Sequence, residues 1–144
     1  MKVLMTCIDF SDITESVIDA ACDFAKALNR KIILVYVRKH RPEKASHVMT
    51  ADFNQDISRD MIKENNQMAN YESRIKETGI SYEVAMLTGS PSEALIQKGH
   101  ELEATLVVIG SRTLSAATHM IKGSIGADLL KKLKVPVILV PDKE

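Results

Sequence analysis

Apolar residues recur along this chain in three distinct rhythms. Continuous runs appear at Val3 to Ile8, ending at Asp9, then at Ile32-Ile33-Leu34-Val35-Tyr36-Val37, Leu106-Val107-Val108-Ile109 and Val137-Ile138-Leu139-Val140. Runs of this kind suit strands covered on both faces, as in a parallel sheet. A fifth segment alternates, with Ile80, Tyr82, Val84 and Met86 separated by Ser81, Glu83 and Ala85. Its period of two predicts a half-covered strand near an edge. Helical spacing relates Val17, Ala21, Phe24, Ala25 and Leu28, and again Phe53, Ile57, Met61, Met68, Tyr71 and Ile75, with a gap near Glu64. Ala94, Leu95 and Leu102 supply a third helical face, and a fourth helix is expected from about Ser124 to Leu133.

The punctuation agrees with this reading. Asp12 followed by Glu15 predicts a helix N-terminus, and Asn29 a stop. Gly79 closes the second helix. Gly89-Ser90-Pro91-Ser92-Glu93 predicts a capped start, with Ser90 as the cap, proline in the first helical position and Glu93 completing the box. Pro136 and Pro141 frame the last strand, and a proline at a strand start fits a sheet edge. Residues 38–50 read as a mobile polar loop, and Ser111 to Lys122 as irregular or weakly helical. Strand and helix alternate, with five strands and four helical segments, so the expected architecture is a doubly wound parallel α/β sheet. At 144 residues with no internal repeat, the expectation is one domain over 1–144.

Charge narrows the function classes. Lys plus Arg and Asp plus Glu are 19 each, which removes any general electrostatic drive toward nucleic acid or anionic lipid. The short basic run Arg38-Lys39-His40-Arg41 reads as a solvated loop. Cys7 and Cys22 lie among apolar neighbours and form no disulfide framework, so they read as buried thiols in a reducing compartment. The first residues carry no signal-peptide pattern, and no apolar stretch approaches the roughly 20 residues of a membrane span. A cytoplasmic location is the expectation.

Ligands of open α/β sheets bind beyond the carboxyl ends of the strands, where strand order reverses. Asp9 ends the first strand, Gly110 ends the fourth, and Gly123-Ser124-Ile125-Gly126 opens the last helix. A glycine and a serine at a helix N-terminus can admit phosphate, but from these four residues alone an ordinary capped helix start is the favoured reading. Asp9 can orient its own turn or accept hydrogen bonds from a base or ribose. No P-loop, GxGxxG or GxSxG pattern is present, Lys122 standing where the last would need glycine. His40, His47, His100 and His119 are scattered and show no metal-ligand spacing. No catalytic nucleophile–base set is identifiable, which leaves at most a weak ATPase.

Taken in order, Cys7-Ile8-Asp9-Phe10-Ser11, Val35-Tyr36-Val37, Gly89-Ser90-Pro91, Leu106 to Arg112, Gly123-Ser124-Ile125 and Val135 to Pro141 resemble the universal stress protein (UspA) family along the whole chain. The resemblance implies a five-stranded parallel sheet in the order 3-2-1-4-5, of the adenine nucleotide alpha hydrolase-like type. It also implies a homodimer paired through Val137 to Val140, and a regulatory role in stress response with ATP, ADP or AMP as ligand, together with Mg²⁺. Nucleotide-binding members carry G-x2-G-x9-G-[ST]. Gly110, Gly123 and Ser124 fill three of its positions here, while Thr113 stands at the second glycine. The resemblance maps Asp9 onto the acidic base and ribose contact, Val37 onto a backbone adenine contact, and Arg112 and Ile125 beside the phosphate positions. A β-branched Thr113 is a poor fit where φ > 0 or close phosphate approach is needed. The alternative is therefore a nucleotide-free dimer acting through protein partners.

Overall fold

The computed structural model describes residues 1–38, 51–111 and 124–142, with positions 51–58 described in backbone only. The elements are β1 (Val3–Ile8), α1 (Thr14–Leu28), β2 (Lys31–Arg38), α2 (Ala51–Lys76), β3 (Tyr82–Thr88), α3 (Pro91–Glu101), β4 (Leu106–Gly110), α4 (Ile125–Leu133) and β5 (Val137–Val140). The five strands are parallel, in the order β3-β2-β1-β4-β5. Strand order reverses between β1 and β4, as expected.

The continuous apolar runs follow from covering on both faces. Leu4, Ile8, Ile32, Leu34 and Val108 pack on one side against Val17, Ile18 and Ala21 of α1 and Met68 and Ile75 of α2. Met5, Cys7, Ile33, Val35, Val107 and Ile109 pack on the other side against Leu95 of α3 and Leu129 of α4. Each fully buried aliphatic side chain stabilises such a layer by about 1.5–3 kcal/mol. The helices on the second side approach closely because Gly99 lies on Leu133, whose methyl carbons would stand 2.6 and 2.9 Å from an added Cβ.

Several local expectations are corrected. The first helix is not capped by Asp12 with Glu15: Ile13 occupies the cap position, with no side-chain capping bond. Ile13 is buried, and burial of that side chain outweighs a polar cap at this position. Asn29 does end α1, in the left-handed conformation with φ 55°. Phe24 and Leu28, expected on the apolar face of α1, are exposed. Ser90 caps α3 by position, but its hydroxyl makes no capping bond, so the expected box is not formed. The neighbouring Ser92 hydroxyl instead donates to Asp128 Oδ2 at 2.7 Å, tying α3 to α4.

The second helix begins at Ala51 rather than Phe53. Met68 and Ile75 are buried, whereas Met61 is 42% exposed, so among the described side chains of the expected stripe those nearer its C-terminal end reach the core. Phe53 and Ile57 fall among the positions described in backbone only. The alternation of β3 holds for Tyr82 and Val84, which pack against the core, and fails at Met86, which is 37% exposed. Arg38 belongs to β2 and is not part of a solvated loop; the rest of that run, within residues 39–50, lies outside the described residues.

Both cysteines are buried and unbridged. Burial pushes the Cys7 thiol up from about 9.0 to about 12, and burial also raises Cys22. The folded value exceeds the unfolded one, so the neutral thiol's contribution is complete below pH 9 and is lost as pH rises toward 12. Wild-type stability is expected to fall relative to a Cys7→Ala variant by about 1.4 kcal/mol per pH unit above pH 9. Urea unfolding of both proteins between pH 7 and pH 11 checks this, and parallel curves would refute it.

Candidate functional site

The chain leaves β1 through a sharp turn. Asp9 is exposed, and its Oδ1 accepts the Ser11 N–H at 2.9 Å. Phe10 between them has φ 62°, in the left-handed region. That conformation costs a non-glycine residue about 1–2 kcal/mol. Ser11 C=O then accepts from Thr14 N–H at 3.1 Å, and α1 begins. Asp9 therefore does orient its own turn.

Strand parity defines what surrounds this turn. In a parallel sheet, backbone groups of successive residues point alternately to the two neighbouring strands. Lys31 N–H donates to Lys2 C=O, while Gly89 N–H donates to Arg38 C=O. Odd-numbered residues of β2 consequently turn their backbone groups toward β1. The last paired residues of these strands are Ile8 and Tyr36, so the Val37 carbonyl is directed past the end of β1. On the other flank, Val107 N–H donates to Pro136 C=O, which assigns even-numbered residues of β4 to the β1 side. Pairing there ends at Cys7 and Ile109. Gly110, one residue beyond that pair, ends β4 beside Ile8, the last residue of β1. The structure brings Asp9, Val37 and Gly110 to one crevice at the switch point.

Gly110 has a packing reason as well. An added Cβ would stand 2.5 Å from Ile13 Cδ1, 3.1 Å from Ile13 Cγ1 and 3.2 Å from Val17 Cγ2. The close fit of Ile13 onto this glycine presses the start of α1 against the end of β4. Ser111, the next residue, accepts the Asp142 N–H at 3.2 Å and ties this end of β4 to the segment after β5.

Ser124 is 2% exposed at the N-cap of α4, and its Oγ accepts the Ala127 N–H at 3.0 Å. The capped-helix reading is the one observed, although a hydroxyl that accepts still has a proton to donate. Ile125 opens α4 and packs on the second core layer. Gly126 lies against Leu139, 2.9 Å from the position of an added Cβ, so packing on β5 accounts for it. Arg112, Thr113 and Gly123 lie outside the described residues.

The structure adds a group that the sequence reading did not single out. The Phe10 ring stacks on Tyr36, with centroids 4.0 Å apart and planes 10° from parallel, and meets Tyr71 at 5.6 Å in a tilted arrangement. Glu64 Oε2 accepts from Arg38 Nε at 2.6 Å and stands 2.6 Å from Arg38 Nη2, while Tyr36 Oη lies 3.5 Å from Glu64 Oε1. Burial, then the Glu64 charge, raises the Tyr36 phenol above its ordinary value. Only the gap in the α2 stripe at Glu64 hinted at this cluster, because its partners are far apart in sequence. Among the described residues, no three His, Cys, Asp or Glu side chains stand close enough to hold a metal, and no helix is long and apolar enough to cross a membrane.

These features define a doubly wound α/β protein whose strand ends carrying Asp9, Val37 and Gly110 meet at its switch point. The model of the universal stress protein family matches residues 1–141, and the chain belongs to that family. It is 24% identical over 143 residues to universal stress protein YxiE of Bacillus subtilis, covering 95% of this chain and 97% of the relative. A universal stress protein crystallised in complex with cAMP is 25% identical, with a TM-score of 0.72 and 96% of each chain covered. An Arabidopsis thaliana family protein with AMP bound is 16% identical, with a TM-score of 0.72 over 99% of this chain and 93% of its own, a likeness of fold.

The glycine at the end of β4 yields a direct test. Gly110→Ala is expected to destabilise the fold by about 1–3 kcal/mol, the usual cost of forcing a carbon into a filled site. Shortening its neighbour in the double variant Ile13→Val, Gly110→Ala should recover part of that loss. Thermal unfolding of the three proteins measures both effects; an unchanged melting temperature for Gly110→Ala would remove the packing explanation.

Proposed function

We propose that residues 1–144 act as one universal stress protein domain, a cytoplasmic regulatory module that binds an adenine nucleotide. The observation that carries this reading is the meeting of the exposed Asp9 carboxylate and the Val37 carbonyl at the end of β1. Carbonyls and one carboxylate suit the amino and hydroxyl donors of adenosine, and backbone N–H groups suit its ring-nitrogen acceptors. Support also comes from the relative bound to cAMP, which is similar over nearly its whole length.

In this reading, Asp9 and Val37 hold the adenosine of ATP, ADP or AMP. Gly110, Arg112, Thr113, Gly123, Ser124 and Ile125 surround the phosphates, and Mg²⁺ accompanies them. The start of α4 adds backbone N–H groups and a partial positive charge, which favour phosphate. No residue is assigned a catalytic role. The active unit is a homodimer formed by pairing β5 with its copy. β5 is an edge strand whose Leu139 is exposed, and a matching strand would cover it.

Thr113 favours a second reading, a nucleotide-free dimer acting on protein partners. Calorimetric titration of nucleotide-stripped protein with Mg·ATP, and separately with AMP, decides between the two. Saturable binding near one ligand per chain is expected, and a Thr113→Gly variant should bind several-fold more tightly. Absence of heat and of thermal stabilisation with either ligand, in both proteins, would overturn the nucleotide reading.

A further inference from the structure

The side chain that follows Asp9 has no assigned role, yet its geometry is unusual. Phe10 adopts a left-handed backbone at φ 62°, a conformation that glycine or asparagine adopts far more readily. Something must hold it there, and the ring contacts identify what does. Phe10 lies flat on Tyr36 of β2 at 4.0 Å and tilts against Tyr71 of α2 at 5.6 Å. One residue beyond Tyr36 along the same edge is Val37, whose carbonyl is directed at the crevice. Arg38, next again, is held to α2 through Glu64 at 2.6 Å. The stack thus joins the Asp9 turn to β2 and, through Tyr71, to α2.

The turn divides the Asp9 carboxylate between two tasks. Oδ1 is held by the Ser11 N–H at 2.9 Å. Oδ2 has no hydrogen-bond partner among the described residues, and Asp9 is exposed. A carboxylate fixed through one oxygen presents the other in a set direction before any ligand arrives. Such pre-organisation raises affinity by removing the cost of ordering the group on binding.

We infer that Phe10 is a positioning residue: its stack on Tyr36 locks the left-handed turn that aims Asp9 Oδ2 at a hydroxyl or amino donor of the bound nucleotide. The inference rests on the nucleotide reading for its ligand, but not for its geometry.

Three substitutions in the full-length protein separate ring from backbone. Phe10→Gly permits the left-handed turn but removes the stack. Tyr36→Leu keeps apolar volume but removes the partner ring. Phe10→Tyr preserves the stack. Two readouts are taken on each: affinity for Mg·ATP and AMP by calorimetry, and the exchange rate of the Ser11 amide by NMR, referred to core amides of the same protein. Phe10→Gly and Tyr36→Leu should lose about tenfold in affinity, and their Ser11 amides should exchange at least tenfold faster while core amides stay protected. Phe10→Tyr should match wild type within about twofold in both. Wild-type affinity in folded Phe10→Gly, or unchanged Ser11 protection in both stack-breaking variants, would overturn the inference. If the wild type binds neither nucleotide, the functional reading fails, and Ser11 exchange alone then upholds or overturns the positioning role.

Discussion

A strand buried on both faces can meet water only at its ends, and β1 is such a strand. It lies between β2 and β4 with Leu4, Met5, Thr6, Cys7 and Ile8 all buried. At its carboxyl end, the first side chain that β1 offers to solvent is therefore that of Asp9. The connection to α1 is confined by the same packing, because Ile13 fits against the bare face of Gly110. The crevice results from these two constraints. β2 runs on to Arg38, past the Tyr36 that pairs with Ile8, while β4 ends beside Ile8, and the turn carrying Asp9 follows from there.

Much of this architecture was legible in the sequence. Runs such as Ile32 to Val35 are apolar at every position because both faces are covered, and that pattern marks a parallel interior strand without reference to its neighbours. The edge position of β3 was legible too, from the alternation of Tyr82 and Val84 with the polar Ser81 and Glu83. The family resemblance supplied the order of the sheet, which periodicity alone does not encode. Local polar signals were less dependable. Ser90 sits at the cap position of α3 without forming a capping bond, and at α1 the cap position falls on buried Ile13 rather than on Asp12. A capping bond stabilises by about 1 kcal/mol, less than the burial of one large aliphatic side chain, so packing takes precedence where the two compete.

The site was legible unevenly, for a related reason. Asp9, Val37 and Gly110 could be named because strand ends at a switch point are identifiable from element order. The cluster of Phe10, Tyr36, Tyr71, Arg38 and Glu64 could not, since its contacts join residues dozens of positions apart and no spacing rule links a strand end to the middle of a later helix. A missing apolar residue at Glu64 looked like a defect in a helical stripe. It is the point at which α2 reaches the end of β2 and needs a charge to meet Arg38.

Motif glycines in this chain carry two kinds of information that differ in weight. Gly110 fits the first position of a nucleotide motif, but contact with Ile13 and Val17 would require a glycine there even in a protein that bound nothing. Gly126, beside the motif, answers to Leu139 in the same way. Agreement at such positions is a property of the fold as much as of a ligand. The Asp9 turn is different, because packing makes no comparable demand for an exposed carboxylate there, and the left-handed Phe10 works against backbone preference. A local arrangement that costs stability and is held by a dedicated ring stack is better explained by what it presents than by what it packs. The case for a ligand at this crevice rests more on the Asp9 turn than on the three motif matches in the chain.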